Sequence, residues 1–477
     1  MSVWRPTDLK TSAIGVLRRV TIACVSHKTI RTPLKIGNMW KSNQHGTRVV
    51  QWIAVLAFAF ILVMPVSQGK LLLGVFGIMA LTAIVTALVT HRALVPPVMA
   101  VLVLILFLGV FGLIVDSSNP GIANAAGIFI GTPIFFFVCI AALGAASIRL
   151  LMYTSAVCTA IIGVSILLYV GGQVGFIPQV IPNWALDVTG AGFGAIGEAT
   201  QVRFVGLSTL AATAPMWLVS IFMKADALLP PLWLRVLAAV AGVSGAMVGG
   251  RRAIVLVLVL MPLVAYLAIR FTSQTPGPRK IPPVLFIVAV ATGVGGVVAL
   301  PTLLSIPILS NTWHSIVSFA TGTADSNADQ SIRGEQTDQL LEAWQQSPII
   351  GHGLGSVING YVRSAAQPWQ FEMQYQTLLM ETGLVGMMMV ATIGAVLIHS
   401  IRKAAAQRPD LNSTLIVAIC SGTAMLIANA TNPYLQAPAH QWAIFLPLAV
   451  INYMLRESET SSTGVPVRAE MNKSKRR

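Results

Sequence analysis

Charge is what this 477-residue chain has least of: Asp, Glu, Lys and Arg make up 10% of it, against 55% hydrophobic residues. With a mean hydropathy of +0.77 and repeated apolar runs of roughly 20 residues, the length a bilayer core demands, it reads as a polytopic membrane protein. Cysteine is nearly absent. Cys139, Cys158 and Cys420 lie inside apolar runs and Cys24 lies in the basic N-terminal stretch. No pair has metal-ligand spacing, and no disulfide framework is expected. The chain also lacks a Walker loop, an H-E-x-x-H pair and a G-x-S-x-G elbow, so the usual marks of ATP, zinc-protease and serine-hydrolase chemistry are missing. The D-x-N-x-D run at Asp325–Asp329 has Gln330 where a calcium loop needs Gly and Gln336 where it needs the closing Glu, so it reads as a solvated loop. No metal and no cofactor is expected. Nor is there a secretory signal, because Arg18 and Arg19 break the early apolar stretch Ala13–Val25.

What is present sorts by side. About twelve helices of bilayer length are expected near 49–66, 71–90, 94–115, 127–147, 150–171, 205–223, 231–249, 252–270, 282–306, 376–400, 412–430 and 440–455. They connect a basic cytoplasmic tail (1–48), an outer segment (172–204), a large periplasmic loop (307–375) and a cytoplasmic tail (456–477). With the N-terminus inside, only Lys70, Arg203, Arg251, Arg252, Arg333 and Arg363 of the 31 basic residues fall outside. That is a strong positive-inside pattern, and an even number of spans puts both termini in the cytoplasm. The net charge of +15 is then topology and contact with anionic lipid, not a nucleic-acid footprint. The fold class expected is all-α, polytopic, with short helices in the periplasmic loop.

The arginines outside run against the rule that sorts the rest. Arg251 and Arg252 stand in GGRRA between two apolar helices, Arg203 opens the sixth expected helix in TQVRFVGLS, and Arg333 opens the loop stretch IRGEQTDQLLEAWQQSPIIGHGLG. One such arginine could be snorkelling at the membrane boundary. Several together point to function, and guanidinium forks match phosphate oxygens. A phosphorylated or pyrophosphorylated lipid is the ligand class this suggests. In the loop stretch, Glu335 and Asp338 sit near the start of a helical run, Pro348 stops it, and Gly351, Gly353 and Gly355 permit a tight turn.

These residues resemble the bacterial O-antigen ligase and Wzy-type polysaccharide polymerase family of membrane glycosyltransferases. RFVG resembles that family's arginine followed by glycine, GGRRA its second helix-junction arginine, and the Arg–Trp–P-x-x-G-x-G-x-G run its periplasmic loop; FEMQYQTLLMETGLVG is similar to the segment that follows. The likeness covers about residues 200–435. It implies a GT-C-like helical fold in the bacterial inner membrane with its active face periplasmic. The reaction implied joins glycan repeat units carried on undecaprenyl pyrophosphate, alongside a flippase and a chain-length regulator, with no nucleic acid involved. Arg203, Arg251, Arg252 and Arg333 would hold the pyrophosphate. Glu335, Trp344, Gly351, Gly353, Gly355 and Tyr375 are the candidates for glycan contact or loop architecture, with packing the alternative for Trp344.

The chain departs from the ligases at one position. They carry a His eleven residues before the first glycine of a G-x-x-G pair; here that pair is Gly383 and Gly386 and the residue is Glu372. Glu372 is therefore the first candidate for general base, with an ion pair to Arg333 as its structural alternative. His352 is the second, with local hydrogen bonding as its alternative. The missing His tilts the expectation from ligase to polymerase. Asn429, Asn432 and Tyr434 in NATNPYLQ are either sugar contacts or a helix end. A transporter would need charges deep in its spans; a scaffold would tolerate loss of Arg203, Arg251 and Arg333.

Overall fold

The computed structural model describes residues 44–66, 69–196, 199–273, 328–362 and 365–462. The expected span 282–306, Arg363 and most of both tails lie outside the described residues. The described residues are 76% helical. In chain order the helices are α1 (Gln44–Val63), α2 (Gly69–Thr90), α3 (Pro96–Val115), α4 (Ile122–Ala142), α5 (Ala145–Gln173), α6 (Asn183–Thr189), α7 (Leu210–Ile221), α8 (Leu232–Val248), α9 (Arg252–Thr272), α10 (Ala328–Gln346), α11 (Gln374–Gln407), α12 (Asn412–Asn429) and α13 (Trp442–Ser462). A helix lies on eleven of the twelve expected stretches. Among the described residues seven helices are long and apolar enough to cross a bilayer, as befits an all-α polytopic membrane protein.

Arg203 corrects the sequence reading. It closes a strand, not a helix: β1 (Gly192–Ile196) and β2 (Ala199–Arg203) form an antiparallel hairpin in which Gly192 pairs with Arg203. The chain then turns at Gly206, in the left-handed region at φ +75°, and enters a 3₁₀ turn at Leu207 that leads into α7. The expected helix boundary at 205 was off because a short glycine- and alanine-rich hairpin carries little strand propensity.

α7 is the centre of the bundle. Every residue from Leu210 to Trp217 is buried, as on a helix enclosed by other helices. α2 is the opposite case: Leu73, Leu81 and Leu88 are exposed, and lipid is the medium that an all-round apolar helix suits. Small residues set the closest approach. A Cβ on Gly163 of α5 would overlap the Ala241 carbonyl of α8, and one on Gly245 would meet Gly163 itself at 2.8 Å.

Polar groups gather at the two ends of the helices. At one end Asp226 accepts from the Thr414 backbone N–H and hydroxyl (both 2.7 Å), Arg92 donates to the Ala142 carbonyl, and Arg456 to Leu143. Arg203, Arg251 and the 429–441 segment lie at the other end, which the charge pattern assigns to the outside. At the same end as Arg92 and Arg456, Asn452 accepts the Val95 N–H at 2.8 Å, so that a freed backbone donor at a helix start is satisfied internally.

The α5–α8 contact gives a stability prediction. Gly163→Val should lower the thermal midpoint of the detergent-purified protein, by overpacking worth about 1–3 kcal/mol. Gly394→Ala, in open space on α11, should leave the midpoint unchanged or slightly raised.

Candidate functional site

α11 is broken. Gly383 has φ +60° and ψ −163° inside it, which frees carbonyls before the break and N–H groups after it. In a membrane protein such groups need partners. The turn at 348–355 supplies them. Leu384 N–H donates to the Pro348 carbonyl and Val385 N–H to Ile349, both at 3.0 Å; His352 N–H donates to Met380 (3.0 Å) and Gly353 N–H to the Glu381 carbonyl (2.8 Å). Gly355 N–H donates to the Glu381 carboxylate at 2.8 Å. The turn also reaches the α3–α4 connection, through Leu354 N–H on the Gly112 carbonyl (2.8 Å) and Gly121 N–H on Gly355 (3.0 Å).

The glycines follow from this interlock. Gly351, Gly353 and Gly355 have φ of +73°, +85° and +77°. A Cβ on Gly351 would overlap Glu381, and one on Gly355 would overlap Gly121. The space beside each of these glycines is filled by the protein itself. His352 Nε2 lies 2.7 Å from the Ala343 carbonyl, and the Trp344 indole donates to Pro348 at 3.1 Å. Trp344 also packs on a small apolar cluster of Leu340, Ile358, Phe371 and Met380. Both residues take the local role.

The same turn holds α10, which runs from Ala328, earlier than the expected start at 333. Buried Gln336 on α10 accepts the N–H groups of Glu372 (2.8 Å) and Met373 (3.0 Å). One turn before it, Arg333 Nε donates to Glu372 Oε2 at 2.8 Å. So the expected alternative for Glu372, an ion pair with Arg333, is present.

Two of the expected arginines meet in one cavity of about 400 Å³, lined by Arg203, Arg251, Ser208, Asn432, Tyr434 and His440 among others. Arg203 reaches it from the end of β2. Arg251 reaches it from the N-terminus of α9, after Gly250 turns the chain at φ +66°. Among the described residues neither guanidinium forms an ion pair. Tyr434 and His440 come from two successive 3₁₀ turns between α12 and α13. Asn429 ends α12 and accepts the Leu435 N–H at 2.9 Å, which fixes the first turn. Burial pushes the Tyr434 phenol up, while Arg251 and Arg333 pull it down and Glu372 pushes it up. The Arg333–Glu372 pair is thus near enough to act on the same cavity wall.

His440 is 1% exposed. Its Nδ1 is 3.1 Å from the Tyr434 carbonyl and its Nε2 is 2.8 Å from Ser208 Oγ. Burial holds this imidazole below the usual histidine range, so it is neutral at neutral pH. The sequence reading missed Ser208 and His440. The available signal was a lone serine after RFVG and a lone histidine in QAPAHQW, both next to segments already singled out.

The other expected residues sit elsewhere. Glu335 is exposed on α10. Tyr375 donates to the Leu426 carbonyl at 2.6 Å and lines a separate apolar cavity with Glu381 and Trp369. Arg252 opens α9; its side chain is outside the described residues. No protein-family model matches the chain, and no curated protein matches it.

The interlock is testable. Gly353→Ala adds a Cβ 2.9 Å from the Asp116 N–H at a left-handed backbone position, a combination worth about 1–3 kcal/mol of strain or more. It should open the 348–355 turn to limited proteolysis. Gly360→Ala, also at positive φ but in open space, should open it much less.

Proposed function

We propose that the protein is an integral-membrane glycosyltransferase of GT-C-like architecture with about twelve spans. It joins oligosaccharide repeat units carried on undecaprenyl pyrophosphate at the periplasmic face of the bacterial inner membrane, with both termini cytoplasmic. One observation carries this reading: Arg203 and Arg251 share a cavity at one end of the helix bundle and have no carboxylate partner among the described residues. Two guanidinium groups with no carboxylate partner among the described residues suit a bidentate anion. The N-terminus of α9 and the turn opening α7 also lie at this cavity, and helix N-termini favour negative charge.

The chemistry asks for little more. An acceptor hydroxyl attacks the anomeric carbon of the donor while the bond to the pyrophosphate oxygen breaks. The negative charge that develops there falls to Arg203 and Arg251, which are already in place. The donor's own linkage supplies the driving force, so no nucleotide or metal is invoked. Arg333 is paired with Glu372 beside this wall, Gln336 accepts the Glu372 N–H, and the pair does not join the cavity lining. The expected product is an exopolysaccharide or O-antigen. A flippase delivers the units, and a chain-length regulator sets their number.

A strain lacking the protein should accumulate single repeat units on the lipid carrier and make no long polymer. Arg203→Ala and Arg251→Ala, supplied back at normal protein level, should each lower the rate of polymer formation about 10²–10³-fold, as loss of one preorganised charge-stabilising donor does. Finished polymer stranded on the carrier would point instead to a ligase that moves it to lipid A-core or another acceptor. Unchanged glycan in the deletion strain removes the glycosyltransferase reading.

A further inference from the structure

Holding a pyrophosphate does not account for every side chain on the arginine cavity. Ser208 and His440 also line it, and they are bonded to each other. The direction of that bond follows from the third partner. A carbonyl oxygen can only accept, so the contact between His440 Nδ1 and the Tyr434 carbonyl at 3.1 Å puts the hydrogen on Nδ1. Nε2 then presents a lone pair, and the Ser208 hydroxyl donates to it at 2.8 Å. Hydroxyl, imidazole and orienting acceptor stand in the order found wherever a side-chain hydroxyl is made ready to pass on a proton. The imidazole is buried behind this contact while Ser208 is half-buried on the cavity wall. A ligand in the cavity meets the serine hydroxyl first, with the 1% exposed histidine behind it.

We propose that Ser208 receives the proton of the acceptor sugar's hydroxyl and relays it to His440; this rests on the glycosyl-transfer reading above. As the acceptor oxygen bonds to the anomeric carbon, its proton passes to Ser208 Oγ, and the Ser208 proton passes to His440 Nε2. The carbon–oxygen bond to the pyrophosphate breaks, and its electron pair stays on the pyrophosphate between Arg203 and Arg251. The imidazolium, with Nδ1–H still on the Tyr434 carbonyl, returns its proton through Ser208 to the departing pyrophosphate or to water. The sum is one glycosidic bond made, one glycosyl–phosphate bond broken and one proton released. Ser208 is the catalytic group, and His440 acts through it as a positioning and proton-holding residue. The two bases expected from sequence are less free: Glu372 Oε2 accepts from Arg333, and His352 Nε2 is on the Ala343 carbonyl.

The test uses membranes of the deletion strain, which hold their own lipid-linked repeat units, together with the purified full-length protein or its variants. Ser208→Ala and His440→Gln should each slow polymer formation about 10²–10⁴-fold, the usual worth of general base catalysis. Both should keep the wild-type thermal midpoint and wild-type binding of undecaprenyl pyrophosphate. The wild-type rate should fall in D₂O, and the residual rate of Ser208→Ala should lose that isotope effect, which a purely structural role would not move. Wild-type rates in both variants, with Arg203→Ala and Arg251→Ala inactive, would overturn the relay and leave the glycosyltransferase reading standing. Loss of undecaprenyl pyrophosphate binding in Ser208→Ala would make Ser208 an anion ligand and also overturn it. So would Glu372→Gln abolishing the rate while Ser208→Ala keeps it. Full activity in the arginine and serine variants alike would sink the underlying reading as well.

Discussion

The break in α11 at Gly383 is the constraint on which the packing of the 348–355 turn and of α10 depends. A bilayer does not tolerate unsatisfied backbone groups, so a helix can be interrupted there only if another segment completes its hydrogen bonds. The 348–355 turn does so from both sides of the break, donating from His352 and Gly353 and accepting at Pro348 and Ile349. Each bond contributes about 1 kcal/mol net, but a break left bare would cost the full desolvation of every orphaned group. The interlock therefore behaves as a unit. It fixes the C-terminal end of α10, while Gln336 fixes the middle of that helix against residues 372 and 373. One turn before Gln336, Arg333 is tied to the same segment through its ion pair with Glu372.

This also explains why a greasy chain carries a polar segment closed by glycines. From sequence the glycines are candidates for glycan contact or for loop architecture. Their backbone conformation was legible, since three glycines within five residues after a proline announce a tight left-handed turn. Their partner was not, because it lies some thirty residues further on, inside an apolar run that looks like one continuous span. Periodicity reports burial and length, and it is blind to a single reversed residue in a helix. The spans themselves were readable for the same reason: lipid demands long apolar stretches, and the chain has little else. The hairpin before α7 was unreadable, because each strand is only five residues long and Gly192–Ile196 holds two glycines and an alanine in place of alternating branched residues.

The site was legible through charge. Arg203 and Arg251 were singled out because they violate the sorting that the other basic residues obey, and they do share a cavity. Arg333 was singled out on the same ground, yet it is paired with Glu372. Sequence position could not separate the paired arginine from the two without an ion pair among the described residues, since pairing across 39 residues is a tertiary fact. Ser208 and His440 were beyond reach for a related reason. Neither violates any rule of composition, and their significance lies in a contact across 232 residues.

The electrostatics of the cavity tie these residues into one device, if the transfer reading holds. Burial keeps His440 neutral when no anion is bound. On the transfer reading a pyrophosphate sits between Arg203 and Arg251. Its negative charges favour an imidazolium on the same wall, so His440 becomes a better proton acceptor when the donor is in place. The base would then be weak without substrate and stronger with it. Such coupling suits an enzyme whose other available acceptor is water: with the carrier absent, nothing in the cavity is primed to activate a hydroxyl, and with the carrier bound, the same anion that leaves is the one that readies the proton path.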